Sequence, residues 1–174
     1  MINPQLNHPM DSLRIQFKKK ADGSSVLHCL RPDGSATWQR RQGPFFALHD
    51  LGHYAIETVL SLRYGFFGML AEGWNITDFG TPWPRGPIPG YAREDAMLAE
   101  SLAGFLDAER ATGVEHGAAD FNDKFAADHA LERQLTEAEL SQVRARHASL
   151  IAQWMALPIG EALDLAFTVK EAAS

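Results

Sequence analysis

The sequence predicts an α+β fold: a small antiparallel sheet, built from an N-terminal three-stranded meander and a C-terminal strand, packed against four to five helices. Three observations predict it. Residues 13–41 alternate with period two and are cut by Asp22-Gly23 and Pro32-Asp33-Gly34; most of residues 45–156 carries helical apolar spacing; and alternation returns from Glu161.

In the meander, Leu13, Ile15 and Phe17 share one face, Val26, His28 and Leu30 oppose Leu27 and Cys29, and Ala36-Thr37-Trp38-Gln39 follows the second turn. The run Lys18-Lys19-Lys20, beside the turn formers Ala21-Asp22-Gly23-Ser24, reads as a solvated hairpin end. Gly43-Pro44 breaks the pattern, and Pro44 suits a first helical turn, where its missing N–H would have no intrahelical partner. Residues 45–64 then read as one helix, with Leu48, Leu51, Ala55, Val59 and Leu62 as its stripe and Gly65 as its stop. A short helix over 66–72 should end at Gly73. Residues 81–90 hold four prolines and two glycines, too many for a regular element, and read as a loop joining two halves. Helices over 93–111 and 117–132 follow. Thr136, with Glu137 and Glu139 behind it, marks a capped start for a helix to about Met155. The final strand alternates Leu163, Leu165, Phe167 and Val169 with Ala162, Asp164, Ala166 and Thr168, and is placed back on the N-terminal sheet.

With 174 residues, 45% of them hydrophobic, the chain can bury one substantial core, so a single domain over 1–174 is expected, with 1–12 as an irregular N-terminal segment. Cys29 is the sole cysteine, which rules out an intrachain disulfide and a cysteine-based zinc cluster, leaving histidine and carboxylate to hold any metal. A net charge of −6 without a continuous basic surface argues against nucleic-acid binding. The first residues lack the layout of a secretory signal, and no apolar run reaches the roughly 18 residues of a membrane span, so a cytoplasmic protein without a membrane role is expected. Trp38, Trp74, Trp83, Phe66 and Phe67 are aromatic residues suited to core packing or to lining a pocket near the proline-rich loop.

The helix over 45–64 concentrates the chemistry. His49 and His53, four apart, stand on one face about a turn from each other, the spacing at which two imidazoles share one ion. They lie roughly a third of a turn beside the apolar stripe, at the border of the core. Glu57 is eight residues from His49, roughly 12 Å along the axis. It is therefore expected to orient His53 rather than to join both rings on a metal. The third ligand must come from another element.

The pattern His-Asp-Leu-Gly-His resembles the His-x-x-x-His helix of zincin metalloproteases. That resemblance implies zinc or another divalent ion on His49 and His53, with Asp50 as general base where those enzymes carry the longer glutamate. Glu72, 19 residues after His53, lies near the separation at which glutamate-liganded zincins supply a third ligand. His28, His116, Asp120 and His129 are alternatives that nothing local aims at the site. The adjacent pair His49-Asp50 also resembles HD phosphohydrolases, with His28 as the upstream histidine, although that superfamily is helical there and His28 falls in a strand. The longer string His-Asp-Leu-x-His-Tyr-x-x-Glu, with Gly-Phe-Phe-Gly at 65–68, is similar to a group of uncharacterised bacterial proteins and implies no activity. The expectation is a divalent-metal-dependent hydrolase acting on a small molecule or peptide. Its rival is a non-catalytic interaction or scaffold domain in which His49, Asp50, His53 and Glu57 form a polar network.

Overall fold

The computed structural model describes residues 12–79, 88–129 and 133–169, without the side chains of Ala126 and His129. Ser12–Lys19 (β1), Ser25–Leu30 (β2) and Ala36–Arg41 (β3) form the expected antiparallel meander, and Ala162–Thr168 (β4) returns to pair with β1, giving the order β3-β2-β1-β4. In register, Ile15 faces Cys29 on one side and Leu165 on the other, so the apolar residues of three strands fall on one face. The expected irregular segment before Ser12, most of the proline-rich loop with Trp83, and the end of the helix expected to reach residue 132 lie outside the described residues.

The described residues form five helices, Phe45–Leu60 (α1), Phe66–Ala71 (α2), Arg93–Thr112 (α3), Ala118–His129 (α4) and Glu137–Ala156 (α5), with 3-10 turns at Ile76–Asp78 and Gly90–Ala92, and α1, α2 and α5 share a core with that face. The α5 start is the predicted one: Thr136 Oγ1 accepts from the Glu139 N–H, and the Glu139 carboxylate accepts from the Thr136 N–H. At the other end of α5, Lys19 donates through Nζ to the carbonyls of Trp154 (2.8 Å) and Leu157 (2.9 Å). This lysine of the expected solvated run is thus the cap of a helix C-terminus, where cationic donors are favoured.

α1 is central and is buried on two sides. Ala47, Leu51, Tyr54 and Ala55 pack on the sheet together with Phe67, Leu150 and Trp154. Ile56 and Leu60 pack instead on Leu98, Leu102 and Leu106 of α3, in a second cluster that includes Phe121 and Phe125 of α4. Two features fix the helix in depth. The Tyr54 hydroxyl donates to the Ala166 carbonyl of β4 at 2.7 Å. Gly52 lets α5 approach until a Cβ there would lie 3.4 Å from the His147 ring, whose Nε2 donates to the Leu48 carbonyl at 3.0 Å.

α1 stops earlier than its pattern predicts. Ser61 turns left-handed (φ 55°), and the Leu62 N–H returns to the Glu57 carbonyl. The chain folds back because the buried Glu57 carboxylate accepts from the N–H groups of Phe67 (2.9 Å) and Gly68 (3.1 Å). Asp95 of α3 accepts from the Arg63 and Tyr64 N–H groups at the same bend. These tertiary acceptors outcompete another helical turn, which residues 61–64 would otherwise support.

No helix among the described residues is long and apolar enough to cross a membrane.

Candidate metal centre

The residues of α1 that face α3 are His49, His53, Ile56 and Leu60, spaced at helical intervals. Opposite the two histidines, α3 presents Glu100 and Asp107, seven residues apart and so nearly in line on one helical face. Ala96, Ala99 and Ala103 on that helix are small and buried, which brings its axis close to α1.

One ligand atom from each of His49, His53 and Glu100 falls within 4.8 Å of the others, a group that could hold a metal ion. Ligands at zinc distances of about 2.0–2.2 Å lie roughly 3.3 Å apart in a tetrahedron, so the longest separation must close by about 1.5 Å on binding. The two rings meet edge to face with centroids 4.8 Å apart. His53 Nε2 is 3.1 Å from Glu100 Oε2, and His49 Nδ1 is 2.6 Å from Asp107 Oδ2. With Nδ1 of His49 held by Asp107, its Nε2 is the nitrogen left for a ligand.

Glu57 sits where the sequence places it, one turn beyond His53. Its Oε1 faces His53 Nδ1 at 3.5 Å, too poorly aligned for a hydrogen bond, and both atoms are buried without a hydrogen-bond partner. Each histidine therefore has a further carboxylate beside its Nδ1, Asp107 hydrogen-bonded to His49 and Glu57 facing His53, the kind of neighbour that orients a metal-binding imidazole.

The electrostatics follow from burial and pairing. Burial acts against charge on His53, but Glu100 and Glu57 outweigh it and raise the imidazole to about 10. Burial pushes the Glu57 carboxyl up, with His53 and the two backbone donors opposing. For Glu100 and Asp107 burial is also the largest influence, yet their histidine partners prevail and hold both below the usual carboxylate range. The centre thus favours a positive charge between its carboxylates, and a proton on His53 or a cation can supply it. It is graded in access: the His53 side chain is 4% exposed, whereas that of Glu100 is 43% exposed and forms the open edge.

Two of the predicted site residues lie elsewhere. Asp50 is on α1 but turned toward β3, buried, with Arg41 donating through Nε to Oδ2 at 3.1 Å. Burial raises its carboxyl, and Arg41 is the leading influence against that rise. Paired with a guanidinium, Asp50 links α1 to β3 and is not one of the three residues that could hold an ion. An HD-type site is disfavoured in the same way, because His49 and Asp50 face different partners. Glu72 pairs with Arg63 at 3.3 Å and is not part of the group, whose carboxylate is that of Glu100. His28 is on β2 opposite Trp38, the Asp120 carboxylate accepts from the Gly117 N–H, His116 lies against Phe105, and the His129 side chain is outside the described residues. Of the aromatic residues, Phe66 and Phe67 are core, while Trp38 is 63% exposed. Sequence reasoning missed Glu100 and Asp107. Their signal was two carboxylates seven apart, beside the apolar stripe of a helix.

No protein-family model, curated protein or solved structure matches this chain.

Proposed function

We propose that this chain is a divalent-metal-dependent hydrolase whose ion is held by His49, His53 and Glu100. The reading rests on one observation: two imidazoles and a carboxylate from two helices converge on one point, each imidazole backed by a further carboxylate. Two nitrogens and one carboxylate oxygen form a donor set used for catalytic zinc, which leaves a position open for water or substrate. When bound, such an ion supplies Lewis-acid activation of water and of a carbonyl or phosphoryl oxygen. The residues of this chain do the rest. Asp107 and Glu57 orient the rings, α3 and the core wall off one side, and Glu100 stands at the open edge. The likeness of His-Asp-Leu-Gly-His to the zincin helix supports the reading, but the third ligand comes from α3 and Asp50 serves Arg41.

A second reading is favoured by the short His49–Asp107 contact and the His53–Glu100 contact, which give each ring one carboxylate partner without an ion. In that case the group is a structural network tying α1 to α3. Metal analysis of tag-free protein purified without chelator separates the two. The hydrolase reading expects about one equivalent of zinc or another divalent metal, absent from the His49→Ala/His53→Ala variant, and metal-dependent turnover of an ester, peptide or phosphoester in a substrate screen. Equal metal content in both proteins leaves the network reading standing.

A further inference from the structure

Between α3 and α4 lies a cavity of about 310 Å³, of a size that suits a small ligand, and Glu100 of the metal-binding group is one of its lining residues. From it the wall runs along α3 through Gly104 and Phe105 and crosses to Phe121 and Phe125 of α4. These rings form an ordered aromatic wall: Phe121 and Phe125 stack with centroids 5.3 Å apart, and Phe105 meets Phe121 edge to face, also at 5.3 Å. Lys124 and Asp128 are the charged residues of α4 at this cavity, one turn apart and opposite in sign, so α4 brings no net charge to it. Gly104 is the residue that leaves the space free. It lies one turn from Glu100, and a Cβ there would meet nothing within 4 Å.

We propose that this cavity receives the neutral aromatic group of the substrate, placing an ester or amide carbonyl at the Glu100 end; the assignment rests on the hydrolase reading of the metal centre. Aromatic walls favour a planar apolar group through stacking and edge contacts, and balanced charge disfavours an ionic one.

The test uses full-length protein and two hydroxamate chelators, benzohydroxamate and acetohydroxamate, titrated calorimetrically into Zn²⁺-loaded protein. Burial of the phenyl ring predicts that benzohydroxamate binds about tenfold or more tightly than acetohydroxamate. In Gly104→Leu, whose side chain grows into free space from a helix interior that the substitution favours, that ratio falls to about one while Zn²⁺ still binds. Gly104→Ala gives an intermediate ratio. Equal affinities in the wild type, or a preference that survives Gly104→Leu, overturn the cavity assignment. Absence of Zn²⁺ binding overturns the hydrolase reading, and the substrate assignment falls with it. Binding of N-benzylacetamide to metal-free protein then separates the two failures: its loss in Gly104→Leu shows an aromatic cavity without a metal, and its absence from the wild type shows that neither exists.

Discussion

Gly65 and Glu57 give the sharpest test of how the bend after α1 is made. Gly65 has φ −72° and ψ −166°, a conformation open to alanine, and an unhindered glycine-to-alanine change at such a position ordinarily stabilises by about 0.4–1 kcal/mol. Here a Cβ would lie 2.3 Å from Glu57 Cδ and 2.6 Å from Cγ. Glu57 cannot retreat, because it is 1% exposed and accepts from the Phe67 and Gly68 N–H groups. Overpacking of this kind costs about 1–3 kcal/mol, and displacing the carboxylate from its buried donors adds about 1–3 more, so Gly65→Ala should destabilise by about 2–6 kcal/mol. Glu57→Ala should itself cost about 3–5 kcal/mol, since it removes the charge facing His53 and leaves two N–H groups without their buried acceptor. In that background the alanine at 65 meets no carboxylate, and its effect should change sign to between 0 and about 1 kcal/mol of stabilisation. The four proteins are compared by urea unfolding followed by circular dichroism, in sulfate buffer that keeps the weakest folded. If Gly65→Ala costs the same in both backgrounds, to within about 0.5 kcal/mol, Glu57 does not hold the bend and the packing argument fails.

Two further predictions concern the metal centre and the sheet. In metal-free protein with chelator, His53 has a folded value of about 10, above the ~6.5 of a free imidazole. Its contribution to stability is therefore complete below about pH 6.5 and is lost as pH rises through about 10. The stability difference between wild type and His53→Gln should shrink over that window, and a difference that grows with pH contradicts the pairing of His53 with Glu100 and Glu57. Arg31 is buried at the β2–β3 turn, donating to the Leu70 carbonyl at 2.6 Å and to that of Trp74, so Arg31→Ala should cost about 2–4 kcal/mol of unfolding free energy. A loss under about 1 kcal/mol would mean that water replaces the guanidinium.

Much of the fold was legible because local pattern and tertiary environment agree. The strand alternation places Leu13, Ile15, Phe17, Leu163 and Leu165 on one face, and Thr136 with Glu139 is a local capping device that needs no partner. What could not be read came from contacts between distant segments. The stop at Ser61 depends on Glu57 reaching α2 and on Asp95 reaching Arg63 and Tyr64, and nothing within 45–64 records either contact. The candidate site divides in the same way. The shared face of His49 and His53, and the place of Glu57 one turn beyond, follow from helical spacing alone. Glu100 and Asp107 depend on how α3 aligns with α1, which is set by buried alanines on α3 and apolar residues on both helices rather than by any motif. Asp50 and Glu72 were assigned by likeness of spacing, and both found arginines first.

Zn²⁺ affinity in three proteins, measured by competition with a chromophoric chelator, bears most directly on the centre formed by His49, His53 and Glu100. Glu100→Ala should weaken binding by about 100-fold or more, and Glu72→Ala should leave it within about twofold of wild type. Undiminished affinity in Glu100→Ala, or a loss confined to Glu72→Ala, would contradict the assignment of Glu100 as the third ligand.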